Sequence, residues 1–170
     1  MSRGEAERFG PVLYRAYPIG TLGLTDDGKG LSRVFIRREG VNCDLPEGET
    51  PLTAWAAKEL EEYFDRRRKI FTVPLSPCGT QFQLSVWSAL RDIPYGQTRT
   101  YGEIASAVGR PRAARAVGMA NHDNPLLIVT PCHRVVGKDG ALTGFACGLK
   151  VKRRLLELEG AHISKSKMIR

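Results

Sequence analysis

A change of pattern at Ser76-Pro77-Cys78-Gly79 does most to limit what this chain can fold into. Before it come short runs of β-type residues broken by turn signals. Beyond it, apolar residues recur at helical spacing and capping boxes appear. Such a switch predicts two units, an α/β unit over 1–78 and a mostly helical unit over 79–170, in an α+β chain. At 170 residues the chain buries very roughly 70% of its unfolded surface. It needs no disulfide or structural metal to fold.

In the first unit the runs 12–17, 20–25 and 32–38 read as strands, separated by Pro18-Ile19 and by Asp26-Asp27-Gly28-Lys29-Gly30. A loop rich in Pro, Gly and Glu spans 43–49. Thr50-Pro51 then reads as an N-cap with proline at the first helical position, and 52–65 carries an apolar helical face. Arg66-Arg67-Arg68-Lys69 closes that helix, where cations favour the negative end of the macrodipole. Residues 70–75 are a further strand candidate.

In the second unit Thr80-Gln81-Phe82-Gln83 and Thr100-Tyr101-Gly102-Glu103 have the spacing of capping boxes. The first opens a helix that ends at Ile93-Pro94-Tyr95-Gly96. The second opens a helix through Val108. Gly109-Arg110-Pro111 is a tight turn, and 112–120 is a short alanine-rich helix. Residues 149–158 form the last helix, and 164–170 a basic tail.

Charge separates the halves as well. Residues 1–78 hold 12 Lys/Arg and 12 Asp/Glu, whereas 79–170 hold 14 and 6, so the net +8 lies wholly in the second half. That distribution suggests a polyanionic partner, with a plain solubility charge as the alternative. No apolar run approaches the roughly 18 residues of a membrane span. The start, MSRGEAERFG, lacks the apolar stretch of a signal peptide. The expectation is an intracellular protein. Cys43, Cys78, Cys132 and Cys147 are too irregularly spaced for a disulfide scaffold, and no CxxC pair suggests zinc.

The helices 100–108 and 112–120, joined by a Gly/Pro turn, fit a helix-turn-helix. The second offers almost no bulky polar side chain: Arg112-Ala113-Ala114-Arg115-Ala116-Val117-Gly118 is smooth apart from its arginines. Such a surface suits close approach to a groove without detailed base readout. A hairpin used only for packing remains open. Cys132 lies between Pro131 and His133 after an apolar run. An unperturbed thiol is only a few per cent thiolate at neutral pH, so a nucleophilic role needs a base or a positive field. His133 and Arg134 are candidates for either. In an extended segment, side chains 132 and 133 would point to opposite faces, so a dyad requires a turn or a water relay. A buried structural cysteine is the other reading.

Pro131-Cys132-His133-Arg134-Val135 resembles the active-site signature of the O6-alkylguanine-DNA alkyltransferases, the methylated-DNA–protein-cysteine methyltransferases. The likeness extends to Gly79-Thr80-Gln81-Phe82-Gln83, Ile93-Pro94-Tyr95-Gly96, Tyr101-Gly102-Glu103-Ile104-Ala105, Ala113-Ala114-Arg115-Ala116-Val117-Gly118, Asn124-Pro125 and Leu158-Glu159-Gly160, in family order. It covers residues 9–161.

The resemblance implies a ribonuclease H-like N-terminal unit with an antiparallel sheet, and a helix-turn-helix unit that binds DNA and accepts the alkyl group. It implies irreversible, single-turnover transfer from O6-alkylguanine, with O4-methylthymine a second candidate substrate, onto Cys132. His133 would take the thiol proton through a water, Glu159 would orient His133, Asn124 would brace the cysteine loop, and Tyr101 would protonate the leaving base. Arg115 would enter the duplex behind the flipped nucleotide. Ala114, Ala116 and Gly118 would let the helix sit close in the minor groove, with Arg112 and Arg134 as further DNA contacts. Val135, Phe145, Ala146 and Cys147 would border the base pocket. No cofactor or metal is implied. The partner is double-stranded DNA read with low sequence specificity, by a monomer, in the cytoplasm or in a nucleus.

Phe145 stands where many members carry Tyr, which removes one donor near the base, and Cys147 stands where glycine is usual. Cys147 is either a harmless small side chain or a second thiol that narrows the pocket. Alternatives for the whole chain are a non-catalytic binder of alkylated DNA and a helix-turn-helix regulator. The presence of Cys132, His133, Asn124 and Glu159 argues against both.

Overall fold

The computed structural model describes residues 9–38, 40 and 45–161. Cys43 and the basic tail 164–170 lie outside the described residues. The chain divides into two compact units at Cys78/Gly79.

The first unit is built on a three-stranded antiparallel meander of β1 (Leu13–Tyr17), β2 (Gly20–Asp26) and β3 (Leu31–Ile36), in that order. The two-residue Pro18-Ile19 turn sets the first register, Tyr17 opposite Gly20 and Leu13 opposite Leu24. The second turn closes on its own side chains. Asp26 Oδ1 accepts from Gly28 N at 2.8 Å and Asp27 Oδ1 from Lys29 N at 3.0 Å, while Gly28 takes a φ of 79°. Helix α1 (Pro51–Phe64) packs across the sheet and buries Ala56, Ala57, Leu60 and Tyr63. Its cap is as expected: Thr50 and Thr53 satisfy one another's backbone N–H, and Pro51 opens the helix.

One expectation for this unit fails. Residues 70–75 form no strand, only an isolated bridge from Leu75 to Leu31. The buried Glu59 carboxylate takes the N–H groups of Thr72 and Val73 that a ladder would need, together with the Thr72 hydroxyl, and Pro74 has no N–H to offer. The basic run does close α1, with Arg66 N on Tyr63 O and Arg67 N on Glu62 O, and its Arg68 pairs with Glu59 at 3.1 Å and Glu62 at 2.7 Å.

The second unit is helical: α2 (Gln81–Arg91), α3 (Tyr101–Ala107), α4 (Ala114–His122) and α5 (Leu149–Leu158). The capping boxes at Thr80/Gln83 and Thr100/Glu103 are both present. Helices α3 and α4 form the helix-turn-helix, with Gly109 at φ 71° in the turn. Val86, Trp87, Leu90, Ile104, Ala105, Val117 and Ala120 make its core, and Trp87 Nε1 donates to Ala120 O at 2.8 Å. A feature not foreseen is a short parallel ladder between β4 (Arg99–Thr100) and β5 (Val135–Val136), pairing Arg99 with Val135 and Thr100 with Val136. It joins the start of α3 to the residues just after Cys132.

Candidate active site

The segment from Asn124 to Arg134 is folded by a single carboxamide. Asn124 Oδ1 accepts from Leu126 N at 3.0 Å, while Nδ2 donates to Thr130 O at 2.8 Å and to Cys132 Sγ at 3.1 Å. Between these anchors the chain turns tightly, with Thr130 N bonded to Leu126 O, and Ile128 adopts a φ of 71°. A β-branched residue in the left-handed region costs on the order of 1–3 kcal/mol and persists only where its surroundings fix it. Here Asn124 fixes both sides.

Cys132 begins a 3-10 turn, Cys132–Arg134, with its N–H on Thr130 O. The turn removes the geometric objection to neighbouring residues acting together. Cys132 is buried among the core residues, yet its side chain helps form the floor of a cavity of about 610 Å³. Burial pushes its thiol up to about 11, against the Asn124 hydrogen bond and the charge of Lys152. The resting sulfur is therefore a thiol, and reaction requires a proton acceptor.

His133 lies wholly buried beside it. Its Nε2 meets Glu159 Oε1 at 2.7 Å, and its Nδ1 has no hydrogen-bond partner among the described residues. Burial alone would raise the Glu159 carboxyl, but His133 and the Arg134 guanidinium hold it down at about 2. An ionised carboxylate only accepts, so Nε2 carries the hydrogen and Nδ1 presents the lone pair. Burial lowers the His133 pKa, with Arg134 and Lys152 pushing the same way and Glu159 opposing, which favours neutral imidazole.

Arg134 corrects an expectation. It is 5% exposed, with Nε on Glu159 Oε2 at 2.8 Å, Nη2 on Glu159 Oε1 at 3.0 Å and Nη1 on the Ile93 carbonyl at 2.6 Å. A guanidinium committed to three internal bonds cannot reach a phosphate.

The cavity wall brings together most of the other expected residues. Tyr101, Arg115 and Gly118 come from α3 and α4, and Phe145 and Ala146 from the loop before α5. Arg115 and Ala116 are exposed on α4, as is Arg112 just before it, while Ala114 and Gly118 are half-buried. A Cβ added at Gly118 would meet only the Tyr101 ring, at an ordinary 3.8 Å. Internal packing therefore does not demand this glycine. Tyr101 Oη donates to the carbonyls of Thr143 at 3.2 Å and Gly144 at 3.4 Å, and burial raises its pKa. The wall stops short of Val135 and Cys147. Val135 is fully buried in the helical core. Cys147 is half-buried, close enough for its charge to be felt at Cys132.

Lys152 escaped the sequence reading. It is fully buried, donates from Nζ to Thr143 O at 2.8 Å, and lies 5.9 Å from the ring centres of both Tyr101 and Phe145. Burial pulls its pKa down to about 8, opposed by its electrostatic attraction to Cys132. Its signal was available: Lys152, Leu155, Leu156 and Glu159 fall at i, i+3, i+4 and i+7, so this lysine occupies the buried stripe of α5. Among the described residues, no three His, Cys, Asp or Glu side chains gather as a metal site, and no helix is long and apolar enough to cross a membrane.

Comparison with known proteins gives a consistent answer. Residues 81–161 match the family described as 6-O-methylguanine DNA methyltransferase, DNA binding domain. A methylated-DNA–protein-cysteine methyltransferase of Methanosarcina acetivorans is 48% identical over 147 residues, 85% of this chain and 94% of the relative. One of Mycobacterium leprae is 55% identical over 146 residues, 84% of this chain and 87% of the relative. The crystal structure of a Mycobacterium tuberculosis O6-methylguanine methyltransferase in complex with DNA superposes with a TM-score of 0.81 at 43% identity, covering 88% of this chain and 92% of that one. The two-unit architecture, the helix-turn-helix and the buried cysteine turn thus place this chain in the methylated-DNA–protein-cysteine methyltransferase family, the DNA-repair enzymes that move an alkyl group from O6-alkylguanine onto a cysteine of their own.

Proposed function

We propose that Cys132 is the acceptor in a single-turnover repair reaction on O6-alkylguanine in duplex DNA, served by the set Asn124, His133 and Glu159. The observation that carries this reading is the position of Cys132 Sγ, on a cavity floor, fixed by Asn124 and adjacent to a buried imidazole with an open Nδ1. The thiol proton passes through one solvent molecule to His133 Nδ1. The thiolate then attacks the alkyl carbon, the S–C bond forms, and the C–O6 bond breaks with its electron pair leaving on the guanine. Tyr101 gives the base a proton, exchanging its bonds to the Thr143 and Gly144 carbonyls for the guest. The thioether is stable to water, so one chain repairs one base.

The reactive carbon lies inside the base stack, so the nucleotide must leave it, at a cost of a few kcal/mol. Arg115, at the cavity mouth, fills the gap and offsets part of that cost. The small residues of α4 permit close approach to the minor groove, with low sequence specificity. The molecule acts as a monomer in the compartment that holds the DNA, bacterial cytoplasm or a nucleus. Intact-mass measurement after mixing with an O6-methylguanine duplex tests the reading. A gain of one CH2, mapped to Cys132 and lost in Cys132→Ala, is expected; an adduct on another cysteine or none at all overturns it.

A further inference from the structure

The polar set behind His133 contains one member that the relay does not use. Four donors converge on the two oxygens of Glu159. Oε1 receives His133 Nε2 at 2.7 Å and Arg134 Nη2 at 3.0 Å, and Oε2 receives Arg134 Nε at 2.8 Å and Gly96 N at 3.1 Å. The third arm of Arg134 ends on Ile93 O, beyond the end of α2. Arg134 is therefore not a spare cation that happens to be near. It holds the same carboxylate that holds the histidine, and it lies in the same 3-10 turn as the nucleophile.

We propose that Arg134 is a positioning residue for the proton acceptor: by engaging both oxygens of Glu159 it balances that carboxylate's charge, so that His133 stays neutral and keeps Nδ1 open to receive the thiol proton. This rests on the reading of Cys132 and His133 given above. The charge inventory favours it. The charged groups felt at His133 are Glu159 at the end of α5, Arg134 in its own turn and Lys152 on α5. With Arg134 present, the buried Arg–Glu pair is neutral and the imidazole need carry nothing. Without it, a buried carboxylate is left uncompensated, which the interior tolerates poorly. The nearest remedy is a proton on His133, since two coupled groups titrate as a unit. The imidazolium so formed has no lone pair at Nδ1 and cannot act as the base. The same guanidinium also explains why the neighbouring Glu159 can orient the ring without ionising it.

The test is the pH dependence of single-turnover transfer from an O6-methylguanine duplex by the native chain, Arg134→Lys and Arg134→Met, with the His133 ring followed by NMR. In the native chain His133 should be neutral across pH 6–8. Arg134→Met should carry its titration midpoint above pH 7. Transfer at pH 7 then slows by about tenfold for each unit by which the midpoint exceeds that pH, the factor by which the neutral fraction falls. The deficit should close toward pH 9.5, and Arg134→Lys should restore most of the rate. Duplex binding and its salt dependence should not change. A His133 already charged at pH 7 in the native chain overturns the proposal, whether or not the variants fold. So does a slowing equal at every pH with the His133 titration unmoved, which marks a purely structural tie. A loss of duplex affinity with a salt slope reduced by about one would return Arg134 to the DNA contacts. An adduct on a different cysteine would sink the relay reading itself while leaving the NMR titration informative about Arg134.

Discussion

The carboxamide of Asn124 touches the sulfur of Cys132 at 3.1 Å with the same nitrogen that holds the Thr130 carbonyl at 2.8 Å. One side chain therefore holds both the backbone turn and the Cys132 sulfur. Asn124→Ala should leave the Thr130 carbonyl and the Leu126 N–H without that partner, at a cost of about 1–3 kcal/mol. It should also relax Ile128 from its left-handed φ. Denaturant unfolding checks the first effect and single-turnover transfer the second. Asn124→Asp should not rescue the rate, since a carboxylate has no N–H to donate. A variant with native stability and rate would show that the turn holds without Asn124.

Glu159 gives stability a signature in acid. Its carboxyl is held at about 2 against an ordinary 4.5. A carboxyl lowered on folding contributes stability that is complete above its ordinary value and lost as pH falls through the folded one. Glu159→Gln should therefore destabilise the chain by roughly 3 kcal/mol near pH 7, the scale of breaking a buried pair. The difference from the native chain should shrink steadily between pH 5 and pH 2. A pH-independent difference in denaturation midpoints would show that the loss is one of packing alone.

Lys152 makes the opposite prediction at the alkaline end. Its ammonium binds its proton less tightly folded, at about 8, than unfolded, at 10.5. Between those values the unfolded chain holds more protons, so this group's contribution makes stability rise with pH. Cys132, raised to about 11, works against it over part of the range. The comparison must therefore be native chain against Lys152→Met, whose difference isolates the lysine. The variant should gain relative stability at pH 7, where the native chain carries a buried cation, and lose that advantage toward pH 10.5. Its transfer rate at neutral pH should fall, because the positive field that favours the thiolate is gone. A faster variant would mean that the lysine hinders rather than helps the sulfur.

Arg115 can be separated from the chemistry. It is exposed on α4 and reaches the cavity mouth. Arg115→Ala should slow transfer strongly from saturating duplex and much less from the free base, which pays no unpairing cost. If the residue only met phosphate, binding would weaken and the salt slope fall by about one, with the saturated rate unchanged. Equal slowing on both substrates would defeat either role and leave Arg115 a support for the site.

What the sequence revealed, and what it hid, follows from the kind of interaction involved. The capping boxes at Thr80 and Thr100, the strands either side of Pro18-Ile19 and the apolar stripe of α1 were readable because they depend on residues a few positions apart. The cysteine turn, Asn124 and Glu159 were placed by family likeness; spacing alone left Cys132 between nucleophile and core. Arg134 has the sequence character of a DNA contact, an arginine in a basic half, and only the fold brings Glu159, distant in sequence, beneath it. The strand expected at 70–75 failed because Glu59, on α1, claims its N–H groups. Lys152 was overlooked because a lysine in an apolar stripe is usually read as an interruption.

The β4–β5 ladder was invisible for a further reason: it is made of backbone, and its partners share no side-chain pattern. That has a consequence for how the protein can vary. The ladder works as a ruler, two residues long, that sets the distance from the helix pair to the sulfur. Since its marks are peptide groups, the pairing itself asks only that each residue stay extended, although Thr100 also caps α3 and Val135 and Val136 are also buried in the core. Proline is the exception, for it removes the peptide hydrogen itself. The spacing between grip and reaction is thus set by main-chain bonds, while the side chains of the same residues serve the helix cap and the core.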